Sequence, residues 1–266
     1  MKLHPVGGSH SIRLDDDDAG PPASAKSGDA LDRATKKETD RISDLQRVLY
    51  ADARYAVLIV LQGRNASGKD GTIRKVFSAV NPQGCTVAIF KAPTDEELRH
   101  DFLWRVHQKV PARGMIGIFN RSHYEDIVVT RVHDALPKKV WSARYEHINE
   151  FERMLNANGV VILKFFLHVS RDEQRKRLEE RLRDEQKNWK FRVGDLDDRA
   201  RWDDFTKAYH GVLTHTSTKW APWYVVPADD KEVRDWLVAR TIADRLAKLD
   251  LRYPRADPSI TDVKIE

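Results

Sequence analysis

Residues 58–77 read LIVLQGRNASGKDGTIRKVF. With Val57 in front, Leu58 to Leu61 form an unbroken apolar run, the pattern of a parallel strand covered on both faces. Gly63 and Gly68 then frame four residues, Lys69 follows directly, and a helix is expected over 70–80. Two glycines allow a tight turn that aims backbone N–H groups at an anion; the lysine adds a point charge and the helix start a positive dipole. An apolar strand before the turn and a helix after it favour a phosphate loop over a ligand-free glycine turn. Asp70 stands where such loops usually carry Ser or Thr to help hold Mg²⁺. A carboxylate is also a hard oxygen ligand, but it adds negative charge, so further cations are expected around the site.

Strand-like and helix-like segments alternate on both sides of this stretch. Thr35-Lys36-Lys37-Glu38 reads as a capping box ahead of Ile42, Leu45 and Leu49 at helical spacing. After a turn at Asn81-Pro82-Gln83-Gly84, a second strand is expected over 86–90, and Thr94 caps a helix running through Leu98, Phe102 and Val106. A third strand spans 115–119, a long helix 140–155 and a fourth strand 159–169. The box Ser170-Arg171-Asp172-Glu173 opens a very basic helix, and helix 203–213, strand 223–226 and helix 231–249 close the pattern. Such alternation predicts one doubly wound parallel α/β domain of about five strands. Its expected extent is 34–256, after a flexible polar segment over 1–33 and before a tail over 257–266. The Asp15 to Asp18 run is read as part of a solvated tail.

With 266 residues, one sizeable core is available. A net charge of +5 and a pI near 9.2 point to an anionic partner, leaving nucleic acid, acidic lipid and phosphate polymers open. The longest apolar run, Tyr55 to Leu61, is too short to span a bilayer, and MKLHPVGGSHSIRLDDDD has no apolar signal region. The single cysteine, Cys85, excludes an intrachain disulfide, reads as a plain buried thiol and suits a reducing cytoplasm.

Two clusters supply the cations. The segment after the third strand holds Asn120, Arg121, Ser122, Glu125, Asp126 and Arg131. Ligands of open α/β sheets collect beyond the carboxyl ends of the strands, which places these residues beside the loop. An ordinary charged surface loop is the plainer alternative. The second cluster gathers Arg171, Arg175, Lys176, Arg177, Arg181, Arg183, Lys187, Lys190 and Arg192. Pairs such as Glu179 with Arg183 fit a solvated helix face, yet the cationic surplus favours a lid that closes over phosphates, ahead of nucleic-acid contact. Trp189 either stacks on a base or seats that lid. His107, His123, His133 and His168 lack metal-ligand spacing and are assigned structural roles.

Five segments in order, GKDGTIRKVFSAVNPQG, FKAPTDEELRHDFLWRVHQKVPARG, IGIFNRSHYEDIVVTRVH, DEQKNWKF and STKWAPWYVVPADDK, resemble the polyphosphate kinase 2 family from about residue 35 to 255. The resemblance implies a P-loop kinase-like, thymidylate-kinase-like fold with a basic helical lid at about 171–195. It also implies transfer of phosphoryl groups between inorganic polyphosphate and purine nucleotides, with Mg²⁺ or Mn²⁺. On that basis Lys69 neutralises phosphate charge, Asp70 and Asp126 hold or orient the metal, and Arg121 faces the transferring group. Arg177, Arg181 and Arg183 grip the polymer with Lys187 and Lys190. Gly63, Asn65, Ala66, Ser67, Gly68, Gly71, Thr72, Asn120, Glu125 and Arg131 complete the nucleotide and phosphate site. Many members carry Asp where Asn65 and, in some subgroups, Asn120 stand here. The FNRSHYED form, with Glu125, resembles the subgroup that accepts monophosphates, so AMP to ADP and onward to ATP is the expected direction. A cytoplasmic homo-oligomer, dimer or tetramer, engaging neither membrane nor nucleic acid, is implied. An ATP-dependent nucleoside monophosphate kinase, or a non-catalytic polyphosphate or nucleic-acid binder on the same fold, are the competing readings.

Overall fold

The computed structural model describes residues 2–7, 12–260 and 263; parts of both expected terminal segments, 8–11, 261–262 and 264–266 among them, lie outside these. In chain order the elements are α1 (Gly28–Asp52), β1 (Ala56–Gln62), α2 (Lys69–Val76), β2 (Cys85–Ile89), α3 (Asp95–Leu98), α4 (Trp104–His107), β3 (Ile116–Asn120) and α5 (Glu125–Val132). They continue as α6 (Lys138–Ala157), β4 (Val160–His168), α7 (Arg171–Arg183), α8 (Gly194–Ala200), α9 (Trp202–Thr216), β5 (Trp223–Pro227) and α10 (Lys231–Leu246).

All strands pair in parallel, in the order β2-β3-β1-β4-β5. The apolar run of β1 is buried throughout, as a central strand flanked by helices on both faces requires. Val57, Ile59 and Leu61 face α1 and α10, whose contributions include Ile42, Leu49, Trp236 and Ile242. Ala56, Leu58 and Val60 face the other layer, where Ile127 of α5, Phe151 of α6 and Val212 of α9 pack. Chain direction across the sheet reverses at β1, between β3 and β4, and ligand crevices open at such switch points.

Several boundaries differ from expectation for identifiable reasons. Helix α1 begins at Gly28, before the supposed capping box, because Thr35 Oγ1 donates to Leu31 O at 2.9 Å inside the helix. Thr94 and Glu97 do form a reciprocal capping box, yet that helix stops at Leu98. Asp101 then accepts the Leu103 N–H at 2.9 Å, and this local turn replaces the helical ladder before α4 starts.

The N-terminal residues lie against the domain. Val6 donates its N–H to Trp223 O at 2.8 Å, lining the outer side of β5, while Leu3 and Ala19 are buried. Within the acidic run, a 3-10 turn spans Asp16–Ala19; Asp15 O contacts His168 Nε2 at 2.8 Å, and the Asp16 carboxylate accepts the Arg171 N–H at 3.1 Å. Asp15 to Asp18 are exposed, as expected of a solvated run, while these two contacts tie Asp15 to β4 and Asp16 to the start of α7. At the opposite margin, among the described residues no strand pairs with the outer side of β2, where Val87 and Ile89 are exposed.

Candidate active site

The turn between β1 and α2 is built from three left-handed residues, Gly63 at φ 149°, Ala66 at 63° and Gly68 at 101°. A Cβ on Gly63 would lie 2.6 Å from Leu167 O, and backbone cannot yield to that contact. Every carbonyl of the turn is taken from within the protein. Lys69 Nζ donates to Gly63 O at 2.7 Å and to Arg64 O at 3.1 Å. Gln174 Nε2 donates to Asn65 O at 3.0 Å, Arg177 to Ala66 O at 3.1 Å and Arg234 to Ser67 O at 3.3 Å. Gly68 O accepts the Thr72 N–H at 2.9 Å. The Ser67 N–H bonds Arg64 O, but among the described residues no protein acceptor takes the N–H groups of Asn65, Ala66 and Gly68. A turn with its carbonyls bonded and its amides free is an anion cradle.

Lys69 is buried, and burial depresses its ammonium to a pKa of about 7, with the Arg121 charge adding to the effect. Arg121 follows β3 directly; the pairing of Leu61 with Asn120 sets the height, and Arg121 N–H extends the ladder to Leu61 O at 3.1 Å. Its own φ of 63° costs about 1–2 kcal/mol for a residue with a Cβ. That turn brings the guanidinium to Asn65 Oδ1 and to Glu125 Oε2, the latter at 3.3 Å. Glu125 also accepts from Gln62 at 3.2 Å. Asp70, at the start of α2, accepts from Asn120 Nδ2 at 2.7 Å and lies 3.5 Å from Lys190 Nζ. Burial alone would raise its carboxyl, but these two partners outweigh it and hold the group below its ordinary value. Arg181 reaches in from α7, 3.8 Å from Asp195.

Other expected site residues serve elsewhere. Arg177 is buried, and its guanidinium is spent on Glu173 and on the carbonyls of Ala66, Ala228 and Asp229. It braces the loop from behind, with four of its five N–H donors on protein acceptors. Thr72 Oγ1 donates to Asp235 at 2.8 Å, and Gly71 lies within α2 beside Arg234. Arg131 sits 4.9 Å over the Trp141 ring in the packing of α5 on α6. Asp126 faces Arg105 at 3.3 Å and Arg144 at 3.8 Å as an ion-paired carboxylate. Arg183 pairs with Glu179 in solvent, and Lys187 with Glu180 and Asp184. Trp189 is 73% exposed, which leaves it out of any seat against the core. Among the described residues no group of three His, Cys, Asp or Glu side chains converges on a metal position.

Partners of the loop that the sequence did not announce come from α8, α9 and α10. Arg64 stacks on Trp202, 3.7 Å from the ring, and donates to Thr206 and to Trp202 O. Asp195 and Asp198 of α8 accept from Asn65 Nδ2 at 2.7 and 3.3 Å. Asp198, Tyr209 and Glu125 line a crevice opening on the loop. The only local signal was the acidic run DLDD after the basic segment. Arg234 and Asp235 close on the loop from α10, 167 residues from Ser67, and no local pattern announces such a contact.

A parallel sheet with a glycine-lysine anion cradle at its switch point, overlain by a helical lid, defines a P-loop kinase. The family model for polyphosphate kinase 2 (PPK2) matches residues 25–254, and the chain belongs to that family. The match starts upstream of residue 35, consistent with α1 beginning at Gly28. The chain is 53% identical over 226 residues to the AMP/ADP-polyphosphate phosphotransferase of Meiothermus ruber, covering 85% of each protein. It is 48% identical over 236 residues to the ADP-polyphosphate phosphotransferase of Rhodopseudomonas palustris, covering 84% of this chain and 82% of that one. A crystal structure of polyphosphate kinase 2 from Arthrobacter aurescens superposes with a TM-score of 0.88 at 40% identity, over 95% of this chain and 90% of the other.

Proposed function

We propose that this protein transfers phosphoryl groups between inorganic polyphosphate and purine nucleotides, converting AMP to ADP and ADP to ATP. The observation that carries the reading is the loop with every carbonyl bonded and the N–H groups of Asn65, Ala66 and Gly68 free to bind phosphate oxygens. The names borne by the Meiothermus and Rhodopseudomonas relatives support polyphosphate as one partner and AMP or ADP as the other.

An oxygen of the nucleotide's terminal phosphate attacks the last phosphorus of the polymer. The bridging P–O bond breaks, and its electron pair leaves with the shortened chain. Positioning and charge neutralisation account for catalysis of this kind, so no protein nucleophile is needed. Lys69 and Arg121 flank the cradle, while Arg181 and Lys190 bring positive charge from the lid. In this reading these four cations meet the phosphates first, and Arg177, which bonds Ala66 O, supports the loop from within. Glu125 orients Arg121.

Asp70 fits a divalent ion, Mg²⁺ or Mn²⁺: its carboxylate is 67% exposed, is held ionised and borders the cradle. One carboxylate plus substrate phosphates is a common way to hold Mg²⁺, whereas the ion-paired Asp126 fits poorly. The ion would supply neutralisation of phosphate charge. A homo-oligomeric, cytoplasmic enzyme completes the proposal; among the described residues no helix is long and apolar enough to cross a membrane.

Incubation with AMP, Mg²⁺ and either polyphosphate or ATP tests the reading. ADP followed by ATP is expected with polyphosphate. Product formed only with ATP would assign a nucleoside monophosphate kinase, and binding without turnover a non-catalytic binder.

A further inference from the structure

Beneath the site lies an ion pair that stability alone does not explain. Lys164, in the middle of β4, and Glu152, on α6, are both fully buried, with Nζ and Oε2 2.6 Å apart. Replacing such a pair by apolar residues of similar volume is often neutral or stabilising, so its presence asks for another role. Each donor of Lys164 has one acceptor: Glu152, the Tyr124 hydroxyl at 2.7 Å and Thr216 O at 2.7 Å. The Tyr124 hydroxyl in turn donates to Glu152 Oε1 at 2.8 Å. His123 stands 3.4 Å from the same oxygen, without hydrogen-bond geometry. The rings of Tyr124 and Trp223 flank the ammonium at 5.1 and 5.2 Å.

The elements joined there are the ones that carry the site. Tyr124 precedes the first residue of α5, one position before Glu125 and three after Arg121. Thr216 O belongs to the last residue of α9, the helix that presents Trp202 and Tyr209 to the crevice. Arg121, meanwhile, occupies a left-handed conformation that its half-exposed side chain does little to enforce. The turn Arg121-Ser122-His123-Tyr124 is closed by Tyr124 N–H to Ser122 Oγ at 3.2 Å and pinned from below by the buried hydroxyl.

We propose that Tyr124, Glu152 and Lys164 are positioning residues, a buried clamp that sets the aim of Arg121 and the spacing between α5 and α9 for phosphoryl transfer. None touches substrate. The inference rests on the phosphotransferase reading for the role of Arg121, but not on the identity of the donor.

Steady-state kinetics of Tyr124→Phe and Glu152→Gln, alone and combined with Arg121→Ala, test it. Misplacement on the order of 1 Å can cost about 10²-fold in rate. Tyr124→Phe, which keeps ring and volume, should lower kcat about tenfold while leaving KM for both substrates within about twofold. In the Arg121→Ala background the same change should cost nothing further, because residues acting through one another are non-additive. A variant with lower Tm but wild-type kcat would overturn the clamp and leave an ordinary core network. Equal losses with and without Arg121 would overturn it too. Circular dichroism checks folding, and either variant alone decides the question. If the wild-type protein used only ATP as donor, the phosphotransferase reading would fail, and the same comparison run with ATP would still decide the clamp.

Discussion

The phosphate loop has a back and a front, and arginine and lysine residues serve both. At the back, Arg177 and Arg234 lie buried and each gives a donor to a loop carbonyl. At the front, Lys69 and Arg121 stand beside free amide groups. The side chains are alike in charge and close in space, and the difference between them is position. Arg177 and Arg234 reach the loop from behind, whereas Arg121 and Lys69, whose ammonium bonds Gly63 O and Arg64 O, stand beside the free amides. Along α7 the same split follows the helical period. Gln174, Arg177 and Leu178 form the buried inner face, Arg181 lies at its border, and Arg183 points into solvent.

Substitutions on the two sides should separate cleanly. The largest effect is expected for Lys69→Ala, with kcat/KM down on the order of 10³-fold or more and little change in far-UV circular dichroism; a loss under about tenfold would erase the distinction. Arg121→Ala should follow at about 10²- to 10³-fold, read from single-turnover transfer so that product release is bypassed. Arg177→Ala should act mainly on stability, because it strips partners from three buried carbonyls and from Glu173. We expect a loss of about 3 kcal/mol in urea unfolding, with kcat of the folded fraction within about threefold. A gentler probe is pH. Since Lys69 in the free enzyme has a pKa of about 7, it is charged below that value and neutral above it, so kcat/KM for polyphosphate should fall as pH rises past 7. Lys69→Arg keeps its charge and should move that limb upward. The smallest change is expected for Arg183→Ala, whose exposed pair with Glu179 should leave Tm within about 1 °C and activity within about twofold.

Much of the fold was legible because its signals are local. The run from Val57 to Leu61, the glycine-lysine spacing and the Ser170 cap each depend on neighbours within a few residues, and each element stands where the pattern placed it. The order of strands was open to the rules of parallel sheets but not to any single stretch. The start of α1 was misread because Thr35 can cap a helix or bond back within one, and the hydroxyl looks identical in both settings. In the site, Lys69, Asp70, Arg121 and Glu125 were visible for their closeness to strand ends. Arg177, Thr72 and Arg131 were assigned through the family resemblance; Arg177 and Thr72 are buried against partners distant in the chain, and Arg131 lies over Trp141. Asp195 and Asp198 were passed over because a basic stretch suggested only cations.

The two margins of the sheet are finished differently: β5 is shielded by the strip of chain around Val6, while β2 shows Val87 and Ile89 to solvent. Unpaired margins recruit other chains. Trimming residues 2–7 would therefore bare a second adhesive border, and a clear stock of protein would turn cloudy on storage while each dispersed molecule kept its turnover.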